Sequence, residues 1–356
     1  MDASSLRASF PVFNRVAYLN AGSDGPLPAA AAEAAREALQ RQLADGRTRA
    51  HFLARSEINE ALRGAYAERL GADRADVALT TSTSEGIAKV IVGLELGDGD
   101  EILTSDQEHP GLMGPLLAAR GRGASIRSGP LATLADHVLE TTTLVACSHV
   151  GWLSGELADP RLGATGVPLL LDGAQGVGAV ATDVRALGCL AYAGAGQKWL
   201  CGADGTGMLW IAPELAQRVH AGAPAYGAFV DASLGLDAEL HTDARRHDTP
   251  ALALEVAASS LAAARLLDGF GWDAVLARAA KLAAQLAGQL AERGFSVGPR
   301  AGTTLVSWED DDPPATSERL AAAGIVIRHL PGTAYLRASV GAWNDDADLH
   351  RLLEAL

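Results

Sequence analysis

The chain reads as an α/β protein built on a largely parallel sheet, followed by a smaller α+β domain. Two observations predict this. From about residue 76 onward, short β-branched or leucine-rich runs alternate with alanine-rich stretches of helical period, the pattern of strand-helix-strand units. After Pro250 the texture changes to two long Ala/Leu/Arg stretches and then short strands.

Taken in order, residues 28–49 read as a long amphipathic helix opening after a Gly/Pro turn. Candidate strands follow at 76–80, 101–105, 144–148, 167–171, 190–193 and 207–212, each ending where polar or glycine residues begin. In an open α/β sheet, ligands lie beyond the carboxyl ends of the strands, so the residues just after these runs are where chemistry is sought. In the second domain the spacing predicts helices over 251–267 and 272–293 and a strand near 303–308. An acidic, Pro-containing loop at 309–314, a helix, short strands near 325–328 and 335–339, and a closing helix complete the chain. No internal repeat is visible, and the abundant alanine is helix propensity rather than low complexity.

Composition narrows the function classes. The 356 residues carry 29 Lys+Arg against 43 Asp+Glu, a formal net charge of −14, with 48% hydrophobic and 20% charged residues. This length suits about two domains, and the apolar content excludes disorder as a global description. An acidic chain offers no electrostatic footprint for nucleic acid or an anionic membrane, so any anionic ligand has to be held by a local cluster of donors. Cys147, Cys189 and Cys201 form neither a paired framework nor a metal or redox motif, which fits a reducing, cytoplasmic compartment. The amino-terminal residues lack an apolar signal core, and no run is long enough to span a membrane.

The chemistry concentrates in four places. Lys198 lies in GQKWLCGADGTG, a glycine-rich loop directly after a strand; a lysine among apolar and glycine residues has a lowered pKa and acts as a Schiff-base nucleophile. Asp172, at the end of the strand before it, opens Asp172-Gly-Ala-Gln175. Each alone is unremarkable, a solvated lysine and a turn cap. Together they are the two groups pyridoxal phosphate needs: an amine for its aldehyde and an acid that keeps the pyridine nitrogen protonated. Thr80-Thr-Ser-Thr-Ser-Glu-Gly86 follows a strand and opens a helix, an anion site suited to a phosphate or a plain Ser/Thr cap. Glu108-His109-Pro110 places an imidazole just past another strand, where it serves as a hydrogen-bonding group or covers an aromatic ring.

With these residues in order, the sequence resembles the class V aminotransferase group of pyridoxal-phosphate enzymes of fold type I, which includes the cysteine desulfurases. The likeness runs from Tyr18-Leu-Asn-Ala-Gly22 to Trp343-Asn344, through TSTSEG, EHP, SHVGW, DGAQ, GQKW and LRAS. EHPGL, SHVGWLSGEL and the segment 328–337 resemble the cystine/cysteine C-S lyase branch. The resemblance implies a large domain with a mostly parallel seven-stranded sheet over 21–250, a small domain over 251–356, and residues 1–20 packing on the small domain. It implies Lys198 as the covalent anchor, Asp172 at the pyridine nitrogen, Gln175 at the ring oxygen, and His109 stacked on the ring. It places Thr83, Ser84 and Gln197 at the phosphate, Trp152 near the ring, and Arg337, Arg328 and Asn20 on the substrate side. Thr249 matches a threonine that reaches the neighbouring subunit's cofactor, implying a homodimer with shared sites.

Two departures bear on function. Gln197 stands where a histidine is customary and Ala195 where a Ser/Thr is, altering two phosphate contacts. Desulfurases insert a mobile segment with a nucleophilic cysteine before the carboxylate-binding arginine, whereas residues 329–335 are short and cysteine-free. The expectation is α,β-elimination on cystine, cysteine or a cysteine S-conjugate, yielding pyruvate, ammonia and a persulfide or thiol. Aminotransfer, epimerisation and an inactive cofactor-binding partner are the alternatives.

Overall fold

A computed structural model describes residues 2–356. The chain opens with α1 (Ala3–Ala8) and β1 (Ala17–Tyr18), then α2 (Ala29–Asp45) and α3 (Arg49–Leu70). The single helix expected over 28–49 is thus two: α2 stops at Gly46, whose φ of 69° is open to glycine at little cost, and α3 restarts after Thr48. Next come β2 (Val77–Thr80), α4 (Thr83–Gly93), β3 (Glu101–Ser105), α5 (Pro110–Gly121), β4 (Ser125–Gly129), β5 (Thr142–Ser148), β6 (Leu169–Asp172), β7 (Ala191–Ala195) and β8 (Gly207–Ile211). The short α6 (Pro213–Ala216) leads to a long irregular stretch, then α7 (Leu254–Phe270) and α8 (Trp272–Glu292). The chain closes with β9 (Leu305–Glu309), α9 (Pro313–Ala322), β10 (Ile325–Val326), β11 (Arg328–His329), β12 (Tyr335–Ser339) and α10 (Asp346–Ala355).

Seven strands form the main sheet in the order β2-β8-β7-β6-β5-β3-β4. Only β8 runs against its neighbours; the other ladders are parallel. Both faces are covered, so its central strands are buried almost throughout. Alternate residues feed two cores: Val145, Leu169 and Leu171 join one with α3 and α7, while Ala146, Leu170 and Ala193 join another with α4 and α5. Ser148 and Asp172, the last residues of β5 and β6, are register partners, and the parallel β7 runs two residues past Ala193, the partner of Asp172, to end at Ala195 along the same edge.

The carboxyl-terminal part builds a three-stranded sheet in the order β11-β12-β9 over its own core, which includes Leu286, Val306, Trp308, Leu336 and Leu352. The amino-terminal segment reaches that side as well, although its Leu6, Phe10 and Phe13 lie in the core of the large sheet. Residue for residue, β1 pairs with β10, and Arg7 meets Asp348 at 2.6 Å. By contrast α7 packs against α2 and α3, within the core of the large sheet. Among the described residues, no helix is long and apolar enough to cross a membrane, and no cluster of His, Cys, Asp and Glu is grouped to hold a metal.

Candidate active site

A cavity of about 240 Å³ lies between the carboxyl edge of the main sheet and the β11-β12 hairpin. It gathers Thr83, Ser84, His109, Trp152, Asp172, Gln175, Gln197, Lys198, Arg328 and Arg337. Gly22, Ser23, Ser82, Ala174 and Ala195 also line it. Two expected site residues do not. Asn20 stands one step behind, its side chain accepting from Ser23 Oγ at 2.9 Å, and Ser23 in turn receives Arg328 at 3.2 Å. Thr249 lines a different cavity, with Asp248 and Tyr226, and its N–H donates to Leu79 O at 2.8 Å.

The sheet side of the site is tightly bonded. Asp172 is buried and accepts from Ala174 N at 2.9 Å. Burial pushes its carboxyl upward in pKa, while that hydrogen bond and the Lys198 charge oppose the shift. Gln175 donates to Gly22 O at 2.7 Å and accepts from Trp199 Nε1 at 3.0 Å, which leaves one amide N–H unspoken for. A Cβ on Gly22 would lie 2.7 Å from Ser339 Oγ and 3.0 Å from Gln175 Oε1, so a side chain there would push at least the Ser339 hydroxyl aside. Behind the Asp172–Gln175 turn, Tyr192 OH and His149 Nδ1 lie 3.1 Å apart and fill the space a Cβ on Gly176 would need.

Lys198 rides on a loop that folds back on itself. Gly202 N donates to Gly196 O at 2.9 Å and Ala203 N to Ser260 Oγ of α7 at 3.0 Å. Burial lowers the lysine pKa to about 8; Asp172 resists and Arg337 adds to the shift. Near neutrality about a tenth of it is therefore the free amine, the nucleophilic form. His109 caps α5, its Nδ1 accepting from Gly111 N at 3.1 Å. Burial, then the charges of Lys198, Arg328 and Arg337, lower its pKa to about 4, so the ring is neutral. Its partner is Trp152, edge to face at 5.3 Å.

The hairpin side differs. Arg328 and Arg337 are direct partners across the antiparallel pair, a placement in which like charges repel. Arg337 is 1% exposed, donates to Trp152 O at 2.6 Å and leaves Nε without a partner. Burial first, and Arg328 second, lower its pKa to about 9. Thr83 Oγ1, Gln197 Oε1 and Trp152 Nε1 are likewise buried without partners among the described residues.

These orphaned polar atoms test the fit to a ligand. Three cationic side chains and the start of α4 ask for anionic groups, the buried Asp172 carboxylate for a protonated ring nitrogen, and Lys198 for a carbonyl. Pyridoxal phosphate with an amino-acid carboxylate supplies all of these. Thr83 and Ser84 begin α4, where Ser82 caps by accepting from Glu85 N. Ser82 is legible in the sequence as a Ser/Thr cap of that helix, whereas the resemblance points to Thr83 and Ser84. Ser23 carries no motif of its own.

Fold and site together define a pyridoxal-phosphate-dependent enzyme of fold type I. The profile of the family described as aminotransferase class V matches residues 17–352, and the chain belongs to that family. A probable cysteine desulfurase of Pseudomonas aeruginosa is 31% identical over 99% of this chain and 97% of its own. One of Methanothermobacter thermautotrophicus is 30% identical over 60% of this chain, but the match spans only 58% of that protein. Among solved structures, the cystine C-S lyase C-DES in complex with its reaction product cysteine persulfide superposes with a TM-score of 0.92. That match covers 97% of this chain and 98% of the lyase at 25% identity.

Proposed function

We propose that the protein is a C-S lyase that eliminates sulfur from the β-carbon of cystine, cysteine or a cysteine S-conjugate, giving pyruvate, ammonia and a persulfide or thiol. The observation that carries this reading is the cavity's combination of an arginine pair with no thiol. Cys147, Cys189 and Cys201 are all buried and none lines the cavity, so no enzyme cysteine is placed to take the sulfur. The leaving group has to depart on its own, as a persulfide or a stabilised thiolate does.

When bound, pyridoxal phosphate supplies the electron sink for the α-carbon. Lys198 would be its covalent anchor, and as an amine with a pKa of about 8 its Nζ is suited to accept the α-proton. Asp172 would keep the ring nitrogen protonated, Gln175 would offer its remaining N–H to the ring oxygen, and His109 would stack on the ring, with Trp152, perpendicular to the imidazole, near it. Thr83, Ser84 and Gln197 hold the phosphate. Arg337 binds the substrate carboxylate by a bidentate fork, Arg328 assists it, and Asn20 supports Arg328 through Ser23. This reading divides the chain into a large domain over 21–250 and a small one over 251–356 that carries residues 1–20, with α7 as the small domain's helix seated on the large core. It makes the protein a cytoplasmic homodimer in which Thr249, remote from its own chain's cavity, completes the partner's site.

The test is to incubate the purified holoenzyme with cystine, cysteine and S-conjugates and to follow pyruvate. Release of pyruvate from at least one is expected. No pyruvate from any, with turnover that depends on an added keto acid, would make the protein an aminotransferase instead.

A further inference from the structure

Glu108 precedes His109, is 7% exposed, and has no ion-pair partner among the described residues. Burial pushes its pKa up, the Ser105 and Ser148 hydrogen bonds opposing. One of its oxygens accepts from Ser105 Oγ and from Ser148 N at 2.9 Å. The other accepts from Ser148 Oγ at 2.6 Å and from the same N–H at 3.1 Å. Ser105 is the last residue of β3 and Ser148 the last of β5. The ladder between those strands ends earlier, at Leu103 and Val145. Past that point the carboxylate of Glu108 takes the place of a strand partner and holds the two strand ends together.

We propose that Glu108 is a positioning residue for His109, bolting β3 to β5 so that the turn between β3 and α5 presents the imidazole to the cavity. The ring is then fixed from both sides. Glu108 anchors the backbone before it, and Gly111 N holds its Nδ1. The effect rests on the hydrogen-bond set rather than on the charge. A glutamine keeps most of it: its Oε1 replaces the oxygen facing Ser105 Oγ and Ser148 N, and its amide N–H meets Ser148 Oγ, which rotates to accept, so that only the longer second bond from Ser148 N is lost.

This inference rests on the assignment of His109 to the cofactor. Its test is a double-mutant cycle on the holoenzyme with Glu108→Ala, His109→Ala and the pair, plus Glu108→Gln. The readouts are kcat, KM, the visible absorbance of the bound cofactor, and Tm. Glu108→Ala is expected to lower kcat by about tenfold, leave KM within about twofold, and shift the absorbance as His109→Ala does. The double variant should be no worse than His109→Ala alone, and Glu108→Gln should stay near wild type. Should Glu108→Ala fail to fold, Glu108→Asp, which keeps the charge but cannot span both serines, replaces it with the same expectations. Losses that multiply in the double variant, a wild-type Glu108→Ala, or a Glu108→Gln as impaired as alanine each overturn the proposal. If instead His109→Ala changes neither spectrum nor kcat, the assignment of His109 itself falls.

Discussion

The two walls of the cavity are built on opposite terms. On the sheet side, Asp172, Gln175 and the Lys198 loop are locked by internal hydrogen bonds to Ala174, Gly22, Trp199, Gly196 and Ser260. On the hairpin side, two arginines face each other in register, and the buried one leaves a nitrogen unpaired. A wall whose Asp172–Gln175 turn and Lys198 loop are braced from within, with only Thr83 Oγ1 and Gln197 Oε1 left open, suits a ligand that is always the same, the cofactor. A wall of strained, half-partnered cations is satisfied only when an anion arrives, which suits a substrate that comes and goes. Pre-organisation is concentrated where the chemistry is constant, and the cost of holding the arginines dry is set against substrate binding.

The largest effect tests the sheet wall. Lys198→Ala should abolish turnover and the visible absorbance of covalently held cofactor together. In the unmodified chain, capture of added pyridoxal phosphate should accelerate as pH rises toward about 8 and then level off. The sign follows from the lysine: below that value it is mostly ammonium, which cannot attack, and each unit lower costs about tenfold in free amine. Absorbance growth measured against pH reads this directly; a rate that keeps rising to pH 10 would mean the amine is not perturbed.

Much of that wall was legible in the sequence, for a physical reason. β8 and the central strands β5, β6 and β7 are buried on both faces and so are written as largely apolar runs; Asp172 ends one of them and Lys198 lies three residues beyond another. The edge strand β4, Ser125–Gly129, is half-exposed and has no such run, so it left no signal. α3 was hidden by its many charged residues and by Gly46, whose turn is visible only in φ. Glu108 could be read as part of a motif but not as a bolt between strands, because one of the two serines that define its role, Ser148, lies forty residues away from it in the chain. The remoteness of Thr249 and the second-row place of Asn20 are tertiary facts that no local pattern encodes.

The contrast between the walls is sharpened by a pair of substitutions with opposite signs in the cofactor-free protein. Gln175→Ala leaves Gly22 O and Trp199 Nε1 unpaired and should destabilise the fold by about 1–3 kcal/mol. Arg337→Met removes a buried cation that faces another and should be neutral or raise Tm, since replacing buried charge with apolar volume often gains ~1–4 kcal/mol. In the holoenzyme the same Arg337 change should weaken substrate binding by about 2–5 kcal/mol, read as a rise in KM. If Arg337→Met lowers Tm as far as Gln175→Ala does, the hairpin wall is as self-sufficient as the sheet wall and the contrast fails.

The smallest effect falls on Asn20. Its carboxamide oxygen touches Ser23 Oγ at 2.9 Å, and only through Ser23 does it reach Arg328. Asn20→Ala therefore removes one neutral hydrogen bond two contacts from the substrate, worth roughly 1 kcal/mol, or about fivefold in KM. Arg328→Ala, which removes the charge itself, should cost more, and the double variant should match Arg328→Ala because Asn20 acts through it. If Asn20→Ala alone raised KM as much as Arg337→Ala, Asn20 would have to touch the substrate directly. The hairpin wall would then close on its ligand by moving the Asn20–Ser23 segment inward, and its arginines would be only part of what the substrate organises.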